Sequence, residues 1–323
     1  MSVEPRTPPV DSYEWIPTEC ADERAPMQLI SGELDCGAGE SVPIPTAKLV
    51  NNGWGEVGSR RLVGEPLKPV PERLNAAWFS YVEDQFFAGS LELPQAKLAQ
   101  LFADGFLDPL TRRRVTWSKI IVGMGLGGWT SVWLAGSGLV QEVASAQFEA
   151  TELDWAQVLD NPAIPREQFI HSKLRARLSS AELKALAEHG PPAPTSPRRS
   201  RACHWRILVG GIQVPLHMFL HSFNGDRHFY DFARHPPGQL HRVPKAMQIT
   251  WRSRSGRKLL TRISLDEAEV FAAFDQLNVT GSVAGSATLH IEYGGRSRVS
   301  IWIENDGPRI PLARSSVEVL SLA

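Results

Sequence analysis

The run Val70-Pro71-Glu72-Arg73-Leu74-Asn75-Ala76-Ala77-Trp78 returns 173 residues later as Val243-Pro244-Lys245-Ala246-Met247-Gln248-Ile249-Thr250-Trp251. Beyond each Trp the order is the same. A strand comes first, then a short amphipathic helix (Leu93–Gly105 and Ser264–Leu277), then a glycine-bearing β-hairpin ending in a Trp-containing strand (Ile120–Leu134 and Leu289–Ile303). Order and spacing repeated together mark a duplicated structural unit. Packing and turn chemistry recur; no set of catalytic residues recurs with them.

A chain of 323 residues exceeds the size at which one hydrophobic core keeps growing, so two domains are expected. Its 24 Pro and 26 Gly fall mostly between short apolar runs, which favours strands and turns over long helices. The expected fold class is α+β, mainly antiparallel β, built as two tandem related units with one principal helix packed on a sheet in each. The first β-rich unit spans 10–160, a helical segment and Pro/Arg-rich linker spans 161–203, and the second β-rich unit spans 204–323. Within the middle segment Ser179 and Glu182 cap a short helix that ends at Gly190, and the prolines beyond it forbid helix and sheet pairing alike. Cys20, Cys36 and Cys203 are too few and too scattered for a disulfide framework or a zinc site. There is no apolar run long enough for a transmembrane segment. Residues 1–9 lack the basic and apolar regions of a signal peptide, so the sequence as it stands reads as cytoplasmic. Removal of a signal would instead make it periplasmic or lipid-anchored.

Each helix carries one apolar stripe: Leu98, Leu101 and Phe102 in the first, closed by Gly105, and Val270, Phe271, Phe274 and Leu277 in the second, opened by a Ser264/Glu267 capping box. Gly123-Met124-Gly125-Leu126-Gly127-Gly128 follows an apolar strand like a dinucleotide loop, but the next residues, Trp129 to Leu134, are strand formers where a helix is needed. A hairpin is expected there, matched by Tyr293-Gly294-Gly295-Arg296. Trp15, Trp78, Trp133, Trp251 and Trp302 lie in strand-like runs and are expected in the core.

Asn224-Gly225 reads as a two-residue type I′ turn, which sets paired residue numbers to sum to 449 and places His221 opposite His228, with His217 on the same face. Three imidazoles then make His217, His221 and His228 the candidate metal ligands, set against an ordinary exposed hairpin face. Glu83 and Asp84 form an acidic pair at the end of an apolar strand; a solvated edge outweighs a catalytic dyad, and the pair is a candidate for contacting a partner. No cofactor, no bound metal and no nucleic-acid partner is expected. The total charge of −1 conceals an asymmetry: residues 1–160 hold 12 Lys+Arg and 22 Asp+Glu, whereas residues 161–323 hold 22 and 13.

The runs Asn52-Gly53-Trp54-Gly55-Glu56, Trp78-Phe79-Ser80-Tyr81-Val82-Glu83-Asp84-Gln85-Phe86-Phe87-Ala88-Gly89, Leu93-Pro94, Ile120-Ile121-Val122-Gly123, Gly127-Gly128 and Val132-Trp133-Leu134 together resemble the bacterial family catalogued as domain of unknown function 2931. The resemblance covers about residues 13–155, with a diverged second copy after it. Members are often short envelope lipoproteins, and some lie beside interbacterial toxin genes, which implies an immunity role; this chain lacks the lipobox. The family has no established catalytic residues to carry over. The expected function is therefore a non-enzymatic binding protein, an immunity protein that neutralises a type VI secretion toxin by direct contact. The alternative is a small-ligand or cell-envelope binding protein using a cleft between the units, and a third reading, a hydrolase with a histidine-bound metal, rests on His217, His221 and His228 alone.

Overall fold

Short β-branched and aromatic runs broken by Gly and Pro form 23 strands in a computed structural model that describes residues 12–60, 64–159, 161–194, 197–211, 214–253, 255–277, 287–294, 299–305 and 307–322. They divide into two units, Met1–Ser196 and Pro197–Ala323. Most strand pairs are antiparallel, and helices are few. Among the described residues no helix is long and apolar enough to cross a membrane.

The first unit runs β1 (Ser12–Glu14), β2 (Ile16–Ala21), β3 (Met27–Asp35), β4 (Ser41–Pro43), β5 (Leu49–Val50), β6 (Leu67–Pro69), β7 (Arg73–Ser80), β8 (Gln85–Glu92) and α1 (Gln95–Asp104). It continues through β9 (Phe106–Leu107), β10 (Arg114–Val115), β11 (Lys119–Met124), β12 (Trp129–Gly136), β13 (Leu139–Gln147), β14 (Glu149–Thr151), α2 (Arg166–Arg175) and α3 (Ser180–His189). One sheet has the order β14-β8-β7-β3-β4, with β5 also on β3. A second run has the order β2-β11-β12-β13, in which β2 and β11 are parallel and the other pairs antiparallel. Separately, β1 pairs with β6 and β9 with β10.

The second unit runs α4 (Pro197–Ser200), β15 (Trp205–Gly210), β16 (Val214–Ser222), β17 (Arg227–Asp231), β18 (Pro244–Arg252), β19 (Lys258–Ser264), α5 (Glu267–Gln276), β20 (Ala287–Tyr293), β21 (Val299–Glu304), β22 (Ile310–Pro311) and β23 (Ser316–Ser321). Its strand orders are β17-β16-β18-β19-β23 and β15-β20-β21-β22, with β15 and β20 parallel. Order and direction in these two runs thus repeat those of β14-β8-β7-β3-β4 and β2-β11-β12-β13, while β1, β5, β6, β9 and β10 have no counterpart among the described residues. Moreover, α1 and α5 occupy the same place in the chain, each after the second strand of the central hairpin. Trp133 pairs with Ile121, and Trp302 with His290, at one common offset.

All five tryptophans expected in the core are buried, as are Trp205 and the stripe residues Leu98, Phe102, Val270, Phe271 and Phe274. Each such aromatic removes on the order of 200 Å² from water, which makes these rings the largest single contributors to both cores. The capping boxes differ from expectation at one helix. Ser179 and Glu182 form the full reciprocal box on α3, and Gly190 closes it at φ 74°. At α5, however, Ser264 ends β19 and the cap is Asp266, whose carboxylate accepts from Glu269 N. The Glu269 carboxylate accepts from Ala313 and Arg314 N–H instead. The first arginines after the prolines are held on α5: Arg199 on Glu267 at 2.8 Å, and Arg198 and Arg201 on Asp275 at 2.7 Å each.

The glycine run is a hairpin connection, as its strand-forming sequel implied. Gly125 N donates to Trp129 O at 2.7 Å across a tight turn at Leu126–Gly128. Of the corresponding second-unit loop, Gly295 and Arg296 lie outside the described residues. Gly128 sits at φ +82°, and a Cβ placed there meets the Phe148 carbonyl oxygen at 2.3 Å. Because that neighbour is backbone, it has no rotamer through which to yield. Gly128→Ala is expected to destabilise the first unit by about 2 kcal/mol or more, read as a lowered midpoint in urea unfolding followed by tryptophan fluorescence.

Candidate functional site

The three candidate histidines do not meet. Ser222 N donates to Asp226 O and Gly225 N to Ser222 O, so residues 223–225 form a three-residue connection with Gly225 at φ +93°. Paired numbers therefore sum to 448: His228 faces Leu220, and His221 faces Arg227. A one-residue change of register turns every side chain of one strand to the other face. His217 and His221 share a face with Phe219, whereas His228 lies on the opposite face with Tyr230. Among the described residues no three His, Cys, Asp or Glu side chains gather into a metal-holding group.

Glu83 and Asp84 lie in the turn between β7 and β8 rather than on a strand. The Glu83 carboxylate accepts from Gly127 N at 2.8 Å, tying this turn to the glycine hairpin. Asp84, at φ 50°, accepts from the Arg166 guanidinium at 2.6 and 2.9 Å, and that guanidinium stacks 4.7 Å from the Trp155 ring. Both carboxylates are therefore committed within the first unit.

One concavity of the first unit is a groove of about 1180 Å³ walled by β4 and β6. Cys36, Val42, Pro43 and Pro69 supply its apolar surface, Leu67 is 53% exposed beside it, and Glu40 and Glu65 stand on its rim. Burial pushes the Cys36 thiol up to about 12, and Asp35, Glu40 and Glu72 push it in the same direction, which reports the local negative potential. Lys68 also lines the groove and interacts electrostatically with Glu14 and Glu65. Its ammonium is turned inward onto Trp15 O at 2.9 Å, and burial lowers its pKa. A second concavity of about 740 Å³, lined by Pro43 to Lys48, Ser59 and Arg60, adjoins the first at Pro43. Ala38 (φ 51°) and Ala47 (φ 62°), one in each lining, hold left-handed backbone that costs a non-glycine residue about 1 kcal/mol.

A buried carboxylate anchors these walls. Glu19 on β2 accepts from Ser59 N at 3.1 Å and Ser59 Oγ at 3.0 Å, and pairs with Lys48. Next to it Thr18 Oγ1 accepts from Gly58 N at 2.9 Å. The Glu19 side chain is 1% exposed; these partners, all on Oε1, offset part of its desolvation, while Oε2 is buried without a hydrogen bond. Sequence reasoning missed both groove and anchor, because the contributing residues come from separate segments and match no spacing motif.

Two expectations follow. Glu19→Gln is expected to cost about 1–3 kcal/mol and to increase limited proteolysis between residues 45 and 60, since charge-assisted bonds to Ser59 and Lys48 are lost. His221 titrates at about 4 rather than 6.5, through burial and then Arg227 and Lys245. The unfolded chain thus takes up the proton first, and the stability present above pH 6.5 is lost as pH falls through the window to about 4. Urea unfolding at the two ends of that window is expected to show a loss of about 2–3 kcal/mol that His221→Gln removes.

No curated protein and no solved structure matches this chain. The sequence profile described as "Protein of unknown function (DUF2931)" matches residues 2–193, more than half of the chain and nearly all of the first unit. The glycine hairpin, the Glu83 turn that binds it and the groove all fall within that match, and the chain belongs to the DUF2931 family.

Proposed function

We propose that this protein is a non-enzymatic binding protein that neutralises an interbacterial toxin of the type VI secretion class by direct contact, and that its second unit is a diverged second copy of the first. The observation that carries the reading is the acidic-rimmed groove between β4 and β6. Residues 1–196 hold 17 Lys+Arg against 25 Asp+Glu, and residues 197–323 hold 17 against 10. A toxin that acts on an anionic polymer has a basic active-site surface, and a groove of opposite charge competes for it. The strands on either side also suit extended backbone: among the described residues β4 is the edge strand of its sheet, and β6 pairs only with β1. A peptide segment can add there through main-chain hydrogen bonds, with apolar side chains against Val42 and Leu67. The repeated strand order of the principal sheets supports the second-copy reading.

Glu40 and Glu65 replace the internally committed Glu83 and Asp84 as the side chains expected to steer the partner. Full-length protein is to be tested against a toxin encoded by a neighbouring gene, both for protection of cells and for association kinetics over an ionic-strength series. Glu40→Lys with Glu65→Lys is expected to slow association about tenfold or more at low salt while changing dissociation little. Protection without any dependence on salt or on these reversals would move recognition to another surface. Absence of both protection and binding would overturn the toxin-neutralising function.

A further inference from the structure

Cys203–Trp205 and Leu240–Arg242 run antiparallel, fixed by Trp205 N to Leu240 O at 3.1 Å, Leu240 N to Trp205 O at 2.8 Å and Cys203 N to His241 O at 3.1 Å. This ladder sets His204 directly across from His241. Their Nδ1 atoms lie 3.2 Å apart, with ring centres 5.0 Å apart and ring planes at 88°. We propose that His204 and His241 form a two-imidazole site for a divalent transition-metal ion, with Zn²⁺ as its representative.

The two distances carry the argument together. Zinc bound to two imidazole nitrogens at about 2.05 Å, with a near-tetrahedral angle of about 103°, separates those nitrogens by about 3.2 Å. With each ring centre about 3.2 Å from the ion along the nitrogen lone pair, the same angle separates the ring centres by about 5.0 Å. An in-line Nδ1–H···Nδ1 hydrogen bond of equal length holds the ring centres about 5.5 Å apart. The observed 3.2 Å between nitrogens and 5.0 Å between ring centres match the bridged pair on both counts.

The surroundings tolerate a cation. Arg201 pairs with Asp275 at 2.7 Å and Arg242 lies 3.9 Å from Asp226, so the two neighbouring guanidinium groups have carboxylates of their own. Cys203 is fully buried and stays a core side chain. His204 is half-buried and His241 exposed, leaving open positions on the ion for water or for a donor from a bound molecule. That is the arrangement of an exchangeable site, in contrast to the closed four-ligand set of structural zinc. It is independent of the toxin-neutralising reading.

The test is calorimetric titration of ZnCl₂ into full-length protein purified without an affinity tag and stripped with chelator. One equivalent is expected to bind with a micromolar dissociation constant. His204→Ala and His241→Ala should each weaken it about tenfold or more, and His228→Ala should leave it unchanged. Since both rings lie outside the core, thermal melts should match wild type, and His241→Gln provides a second, more conservative variant. No uptake at millimolar zinc, or uptake that survives both alanine variants, would overturn the proposal and leave a hydrogen-bonded histidine pair.

Discussion

Trp133 packs against backbone that has no Cβ beneath it. A methyl group at Gly123 would lie 2.6 Å from the Trp133 ring and 3.0 Å from Trp54, whose ring meets Trp133 edge-on at 5.0 Å. One face of β2-β11-β12-β13 depends on this contact, because Trp54 belongs to the loop that roofs it. The roof is fastened along the edge strand by Gly53 N to Ala21 O at 2.8 Å, Gly55 N to Cys20 Sγ at 3.3 Å and Gly58 N to Thr18 Oγ1 at 2.9 Å. Glu19 then carries the fastening outward to Ser59 and Lys48, which line the second concavity.

On the proposed function, magnitudes separate what would attract a partner to the groove from what would hold it. Exposed ion pairs at Glu40 or Glu65 contribute about 0–1 kcal/mol each and are screened beyond roughly 8–10 Å at physiological salt. They raise the rate of encounter more than the lifetime of the complex. Residence depends on covering Leu67 and Val42 and on satisfying backbone groups along β4 and β6, which are short-range and insensitive to salt. Ala38 and Ala47 are the strained positions in the two linings, and their conformation fixes the turns that keep those edges apart.

The architecture was legible because it is written in large, periodic residues. The repeated Val-Pro…Trp run, the two helical stripes and the two hairpins each map onto a buried position or a strand pair, down to Trp133 on Ile121 and Trp302 on His290. What failed was decided by single residues. Asn224-Gly225 suits a two-residue turn, yet Asn224 Oδ1 accepts from Asp226 N at 3.3 Å and the connection takes a third residue, which sends His228 to the face opposite His221. Ser264 and Glu267 have the spacing of a capping box, yet β19 extends through Ser264 to pair with β23. Asp266, the next acceptor, becomes the cap. The groove was invisible for another reason: its walls come from residues 36–43 and 64–69, which meet only after β3, β4 and β6 are placed.

The shared order of strands also lets the two units be compared position by position. At the hairpin position where the first unit has Ile121 and Gly123, the second has His290 and Glu292. Trp302 there is stacked on His290 at 4.8 Å and covered by Arg309 at 4.1 Å, with Glu304 2.9 Å from His290. An apolar surface needing a loop for its roof has become a polar layer closed by its own side chains. Removing the need for the roof removes the requirement for glycine beneath the Trp, and Glu292 satisfies the pleat equally well. What the two units share is the strand order of their principal sheets and a buried Trp on each hairpin. What they carry on it differs: an acidic-rimmed groove in the first, a net positive charge and a histidine pair in the second.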